Sequence, residues 1–191
     1  VALLFGVAER TIWAPPANYS EALKIETANP LVLIPHDVLD KHPGTPTVYT
    51  DGAKAAFLAT GREADIRAWI GNNAFSEVHF DKKGKKLVHS GLEGSENIES
   101  PAGSDLWRAE STGEGQAFLK IALAEEGAAL VASDGIRPAP EHIRIVWPIP
   151  YDLTLSNIAL VAGGVLLIAA FVMNYLAYRH MRKSRGPRRR T

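Results

Sequence analysis

The segment Ile158–Tyr178 reads IALVAGGVLLIAAFVMNYLAY, and Asn174 is its only strongly polar residue. A helix of this length spans about 30 Å, which matches the hydrocarbon thickness of a bilayer. A buried helix of a soluble protein is the alternative, but aromatic residues typical of membrane interfaces flank the segment. Trp147 and Tyr151 precede the segment, and Tyr175 and Tyr178 lie at its C-terminal end. We therefore predict a complete transmembrane helix over residues 157–178.

The residues after this segment are strongly basic. Seven of the last thirteen are Lys or Arg and none is acidic, although the whole chain balances 21 basic against 21 acidic residues. By the positive-inside rule, the tail 179–191 is cytoplasmic and residues 17–150 lie on the outer side of the cell membrane. Residues 1–178 carry a net charge of −7, whereas a nucleic-acid-binding domain usually has a basic face. We therefore expect the lipid bilayer, and no nucleic acid, among the partners.

The chain opens with VALLFGVA, which is apolar but too short to span a membrane, followed by ERTIWAPP. It has neither the basic start nor the small-residue cleavage site of a secretory signal. We interpret residues 1–14 as the outer end of a first transmembrane helix, with Trp13 at the interface and Pro15-Pro16 directing an extended exit. An apolar strand that opens the exported domain is the alternative.

Residues 17–150 have the pattern of a β-rich domain. Short apolar runs separated by Gly, Pro and Asp predict strands at 31–35, 47–50, 55–59, 77–80, 86–89, 117–123, 128–132 and 143–147. In contrast, Ile66, Trp69 and Ile70 recur at helical spacing after two acidic residues and before a glycine. We predict a sandwich or a partly open barrel with one short helix. Residues 91–116 read as a long loop, either functional or mobile.

Few residue patterns in this chain suggest catalysis or metal binding. The chain has no cysteine, which removes thiol nucleophiles and Cys-ligated metals. In HDVLDKH at 36–42, two His and two Asp could converge on a metal, or the Asp residues could cap turns. Hydroxyls stand beside carboxylates at Ser104-Asp105 and Ser133-Asp134, without the GxSxG or SxxK motifs of serine nucleophiles. We predict no catalytic residue, no bound metal and no cofactor, and expect that the chain is not an enzyme.

A basic turn is predicted between the strands at 77–80 and 86–89. The sequence KKGKK supplies four ammonium groups, those of Lys82, Lys83, Lys85 and Lys86. One interpretation is a solvated turn that prevents aggregation at a sheet edge. The other is a contact with an anionic surface, namely phospholipid headgroups, wall polymers or an acidic subunit.

Small residues follow one stripe of the predicted transmembrane helix. At about 100° per residue they fall, together with the one asparagine, within about 60° of each other. The stripe comprises Ala159, Gly163, Ala170, Asn174 and Ala177. Small side chains let another helix approach closely, and an amide in hydrocarbon seeks a partner across that contact. Coincidence is the alternative, because Ala and Gly are common in membrane helices.

Several stretches resemble landmarks of a known family. They are ERTIWAPP at 9–16, SDLW at 104–107, DGIRPAP at 134–140 and IVWP at 145–148. The chain resembles poorly characterised membrane proteins of high-GC Gram-positive bacteria, in which two transmembrane helices surround an exported β-rich domain. The resemblance covers nearly the whole chain and implies no catalytic residues. Some accessory subunits of respiratory assemblies in such bacteria are built in a similar way, which is an analogy only.

Two functions fit this organisation. The first is a non-catalytic accessory subunit of a larger membrane complex, whose partners are integral membrane protein subunits contacted through the transmembrane helices and the exported domain. The alternative is a membrane-anchored envelope binding module, or receptor, in which the β-rich domain holds an extracytoplasmic ligand.

The predicted topology can be tested with single cysteines, since the chain has none of its own. We expect a membrane-impermeant thiol reagent added to intact cells to label Ser90→Cys and not Ser184→Cys, because the basic tail holds the C-terminus inside. Lysis should make both positions reactive. Labelling of Ser184→Cys alone in intact cells contradicts this topology.

Overall fold

The computed structural model describes residues 18–95, 98–134, 137–149 and 154–184. Within these residues, eight strands share one sheet: β1 (Asn18–Lys24), β2 (Leu31–Ile34), β3 (Thr47–Arg62), β4 (Phe75–Phe80), β5 (Leu87–Leu92), β6 (Ala109–Lys120), β7 (Gly127–Ala132) and β8 (His142–Pro148). The helices described there are α1 (His36–Leu39), α2 (Glu63–Ile70) and α3 (Thr154–Ser184). The chain divides into two compact units: residues 17–150 form the β-rich unit, and α3 belongs to the other.

The sheet curls into a nearly closed barrel. Its strand order is β1-β8-β3-β7-β2-β4-β5, and β6 pairs with the other edge of β3. All pairs are antiparallel except β2 with β4. The outermost strands of this order, β1 and β5, contact each other, and the Glu26 N–H donates to Nε2 of His89 across 3.3 Å. Of the two predicted architectures, the structure therefore has the barrel-like one.

A bend in β3 gives the sheet its curvature. The first part of β3 pairs with β8 and the second part pairs with β7, while β6 follows the opposite edge throughout. The β3–β6 register shifts between Asp51 and Ala55, which is a bulge of the kind that bends strands and increases twist. On β6, a Cβ at Gly113 would collide with the Gln116 carbonyl oxygen. Glycine is therefore required at the inside of the bend.

The interior of the barrel is apolar and includes Trp147, whose side chain is fully buried. Its indole N–H donates to the carbonyl of Leu39 over 2.7 Å, as a buried Trp requires. Strand alternation supplies most of the remaining core. Its larger members are Ile25, Val32, Ile34, Val38, Leu39, Val48, Leu58, Val78, Leu87, Ile121, Val131, Ile143 and Ile145.

A second core lies on the outer side of β2, β7 and the second part of β3. Ile66 and Ile70 of α2 cover it, which explains why every residue of β2 and β7 is buried. Trp69 and Trp107 pack edge to face at its border, with ring centroids 5.5 Å apart. The Trp107 indole N–H donates to the Pro101 carbonyl over 2.6 Å, so the segment before β6 is held on the sheet.

Helix α2 confirms the helix predicted around residues 66–70. Acidic residues occupy its first turn, and Gly71 follows its end with a φ of +55°, as is typical of a helix C-terminus. The Arg67 guanidinium contacts Glu63 at 2.8 Å and Glu77 of β4 at 2.5 Å. These hydrogen bonds, above all that with Glu77, raise the pKa of Arg67. The pair with Glu77 ties α2 to the sheet.

Three local predictions were wrong. The runs 47–50 and 55–59 are parts of the single strand β3, because pairing with β6 resumes after the bulge. Residues 109–116, expected in a loop, belong to β6. The domain also has a second short helix, α1. In each case the deciding contacts come from residues distant in sequence, such as the hydrogen bond from Trp147 to Leu39.

Helix α3 contains the whole segment 157–178. Its stretch Asn157–Arg182 is long and apolar enough to cross a membrane by length and composition, since 26 residues of helix extend about 39 Å. The first transmembrane segment expected at 1–14 and the end of the basic tail, from residue 185, lie outside the described residues.

The two tryptophan environments predict different costs of truncation. We expect Trp147→Ala to lower the free energy of unfolding by about 3–5 kcal/mol, because it empties a packed interior and removes the partner of a buried carbonyl. Trp69→Ala should cost only about 1–2 kcal/mol, because that ring is half-buried. Pulse proteolysis of the full chain in urea and mild detergent measures both. An equal loss in the two variants contradicts this ranking.

Candidate functional site

One outer face of the β-rich unit is exposed to solvent. It belongs to β1, β8, the first part of β3 and the second part of β6, whose outward residues are exposed or half-buried. We call this surface the open face. By contrast, the outer side of β2 and β7 is covered by α2. The open face is therefore available for contacts in the part of the chain that the structure describes.

Three side chains form a row across the open face, which we call the aromatic row. Tyr49 lies opposite Phe118 on one side and Arg144 on the other. The Tyr49 and Phe118 rings stack with centroids 5.9 Å apart, and the Arg144 guanidinium carbon is 4.9 Å from the Tyr49 centroid. Phe118 is 64% exposed. Tyr, Phe and Arg are enriched at protein interfaces, where Tyr and Arg often dominate the binding energy.

A cavity of about 390 Å³ adjoins the aromatic row at the bend of β3 and β6. Polar residues line the rest of it: Thr50, Asp51, Ser111, Thr112 and Gln116. Thr50 is 2% exposed, and its hydroxyl has no hydrogen-bond partner. Asp51 also pairs with His142 at 3.1 Å. The cavity combines an arginine, aromatic rings and hydroxyls, which suits a small polar ligand.

The predicted basic turn joins β4 to β5, and we call Lys82, Lys83, Lys85 and Lys86 the lysine tip. All four are exposed. An Asp81 carboxylate oxygen accepts from the Lys85 N–H at 2.7 Å and from the Lys86 N–H at 3.3 Å. The bond from Lys85 is the main reason why the pKa of Asp81 is lowered. Gly84 has a φ of +64°, so this turn has a defined backbone geometry.

A fifth lysine, which the sequence analysis missed, lies beside this tip. The Lys41 ammonium is 5.1 Å from the centroid of Phe80, the last residue of β4. Lys41 follows α1 and is distant in sequence from the tip, so only the fold brings them together. We call Lys41 and the lysine tip together the lysine patch.

The predicted helix-packing stripe lies on α3, where its members differ in exposure. Gly163 is buried and Ala159 is half-buried, whereas Ala170, Asn174 and Ala177 are exposed. The large apolar side chains of α3 are exposed as well, for example Phe171 at 76%. A Cβ at Gly164 meets no atom within 4 Å, which makes this neighbouring glycine a useful control position.

The histidines of the 36–42 segment have different surroundings. Nδ1 of His36 lies 3.2 Å from the Gly127 carbonyl oxygen, and its backbone N–H donates to Glu63 at 2.8 Å. The His42 ring stacks on Tyr19 with centroids 4.5 Å apart. Among the described residues, no three His, Asp or Glu side chains are grouped closely enough to hold a metal ion.

Comparison with known proteins gives no relative from which a function could be transferred. No protein-family model matches this chain, and no curated protein matches it either.

The Asp81 contacts predict a pH-dependent turn. The pKa of Asp81 is lowered in the folded protein from its usual value of 3.8. The ionised carboxylate therefore contributes to the stability of the fold above that value, and this contribution is lost as the pH falls through the folded-state pKa. At neutral pH we expect Asp81→Asn to speed amide hydrogen exchange at Lys85. The exposed Asp105→Asn should leave that exchange unchanged. If the Lys85 amide exchanges at the same rate in wild type and in Asp81→Asn, the Asp81 carboxylate does not stabilise the turn.

Proposed function

We propose that this chain is a non-catalytic accessory subunit of a larger bacterial membrane complex. In this proposal, α3 crosses the cell membrane, the β-rich unit is displayed outside the cell and the basic tail stays in the cytoplasm. The observation that carries the proposal is the aromatic row, an exposed set of interface-type residues on a face that no element of the described chain covers.

The aromatic row has the physical properties of a docking site. Its residues extend from strands of one sheet, so little conformational freedom is lost when a partner packs on them. The Arg144–Tyr49 contact already orients the guanidinium. Removing Phe118 and Tyr49 from water would provide the apolar centre of an interface, and Arg144 would supply a directed hydrogen-bond donor.

The stripe on α3 supplies a second contact in this proposal. Gly163 and Ala170 would admit a neighbouring helix, and Asn174 would donate to or accept from it. The partners are then integral membrane protein subunits, contacted both within the bilayer and at the open face. The analogy with accessory subunits of respiratory assemblies makes a respiratory complex the first one to examine.

The cavity beside the aromatic row favours the second candidate function, a membrane-anchored binding module. A ligand there would contact the guanidinium of Arg144 and polar side chains such as Asp51 and Gln116. In that case α3 is only an anchor, and substitutions on the stripe should not affect function, because lipid accepts Leu on a helix surface.

Co-purification distinguishes the two functions. The full chain is tagged at its C-terminus and extracted in mild detergent, and retained partners are quantified by mass spectrometry relative to inserted protein. For an accessory subunit, we expect Phe118→Ser and Gly163→Leu each to reduce retention about tenfold or more, as the loss of a central interface residue does. Asn174→Leu should have a smaller effect, of about 0.6–2 kcal/mol.

Matched variants control for unrelated effects of these substitutions. Leu92→Ser removes an exposed apolar side chain at the end of β5, and Gly164→Leu adds the same side chain next to Gly163 where space is open. Both should retain the partners. If wild-type protein retains no partner, or if Phe118→Ser and Gly163→Leu retain as much as wild type, the accessory role is rejected and the binding module is favoured.

A further inference from the structure

The lysine patch lies at the end of the β-rich unit where the chain enters and leaves. The first residue of β1, Asn18, pairs with the last residue of β8, Pro148. His42 stacks on Tyr19 beside that pair, and its ring centroid is 5.1 Å from that of Trp147. Lys41 is the next residue in the chain and contacts Phe80 at the base of the lysine tip. The dipeptide 41–42 thus connects the exit of the chain to the lysine tip.

The chain reaches its apolar helical segment soon after it leaves this end. Four residues separate Ile149 from Thr154, the first residue of α3. A fully extended chain advances at most about 3.5 Å per residue, so this connection covers at most about 17 Å. The chain exit is therefore joined by a short stretch of sequence to the helix that is proposed to cross the membrane.

The charge of the lysine patch is only partly offset, because the Asp81 carboxylate interacts electrostatically with Lys86. Within the described residues, none of its five ammonium groups takes part in an ion pair. The one carboxylate inside the turn, Asp81, accepts backbone N–H groups. Four of the five positive charges are in the lysine tip, at the exposed end of a hairpin, whereas residues 1–178 as a whole carry a net charge of −7.

We propose that the lysine patch binds the anionic headgroups of the bilayer that holds α3. Each lysine near an anionic surface strengthens binding about fivefold at physiological salt, and the effect decays within the screening length. Four lysines on a fixed turn, together with Lys41 beside it, therefore hold the β-rich unit against the membrane in one orientation. In that orientation, a neighbouring membrane protein would be able to reach the open face. The inference rests on the membrane anchoring proposed above.

The position of the patch is the reason to prefer lipid over the other anionic surfaces. A wall polymer is more accessible to the parts of the unit remote from the chain exit. Binding of the patch to an acidic subunit is the alternative. The experiment below distinguishes it from lipid binding, because no such subunit is present when the purified protein is placed in defined lipid.

Lysine footprinting of the full chain tests the proposal. The purified protein is placed in nanodiscs of phosphatidylcholine, with or without one third phosphatidylglycerol. An acylating N-hydroxysuccinimide ester then reports the reaction rate of each lysine by mass spectrometry. With phosphatidylglycerol, we expect the lysine patch to react about five- to tenfold more slowly. The difference should disappear at about 1 M salt, where the screening length is only about 3 Å.

The same molecule contains its control lysines. Lys24 at the far end of β1 and Lys54 at the bend of β3 are exposed, and Lys24 lies about 20 Å along its strand from Asn18. Their rates should not depend on the lipid. Equal protection of Lys24, Lys54 and the lysine patch, or no protection of the patch, overturns the proposal. Protection in native membranes that is absent in both nanodiscs assigns the patch to an acidic partner and also overturns it.

A variant tests whether the protection of Lys41 depends on the lysine tip. When the four lysines of the tip are replaced by Gln, Lys41 remains as a reporter, and we expect its protection by phosphatidylglycerol to fall to the level of Lys24. Unchanged protection of Lys41 in this variant rejects the tip as the source of binding. Incorporation into nanodiscs is scored separately. A chain that does not insert refutes the membrane anchoring, whereas an inserted chain with a lipid-independent footprint refutes only the lysine contact.

Discussion

The bend in β3 is the constraint on which the rest of the β-rich unit depends. One strand of sixteen residues serves two parts of the sheet, because its first part pairs with β8 and its second with β7. Between Asp51 and Ala55, three residues of β3 lie opposite Gly115 alone, and such an excess forces a strand to turn. The turn brings β1 towards β5 and encloses the side chains around Trp147. Without it, the same strands would form an open sheet with exposed apolar residues.

The bend also decides which outer surface is covered. Helix α2 follows β3 directly, so it packs on the second part of that strand and on β7. Phe57 and Ala59 are therefore buried beneath the helix, whereas Tyr49, on the same strand before the bend, remains in the open face. Exposure of the aromatic row is thus a consequence of chain connectivity. A partner packed on the aromatic row would cover the outer side of the first part of β3, as α2 covers that of the second part.

Local patterns predicted the elements that residues adjacent in sequence already specify. The continuous apolar run of β2, the helical spacing in α2 and the basic turn after β4 were all readable because neighbouring residues determine them. The continuity of β3 was not, since Asp51-Gly52 is a turn signal that distant pairing with β6 overrides. The first half of β6 is rich in Gly, Ser and Glu, and β1 is polar, so neither resembles a strand in isolation. Lys41 joins the lysine tip only through the fold.

The proposed arrangement places two basic clusters on opposite sides of the membrane, which raises the question of which one determines topology. Positive charge directs insertion when it lies within about 15–20 residues of a transmembrane segment. The tail meets this condition, since Arg179 follows Tyr178 directly. Lys86 precedes the segment by 72 residues, and long exported domains are translocated largely irrespective of their charge. The lysine tip can therefore be exported without opposing the tail. In the proposed arrangement the tail fixes the direction of α3, and the lysine patch fixes the orientation of the β-rich unit against the outer leaflet.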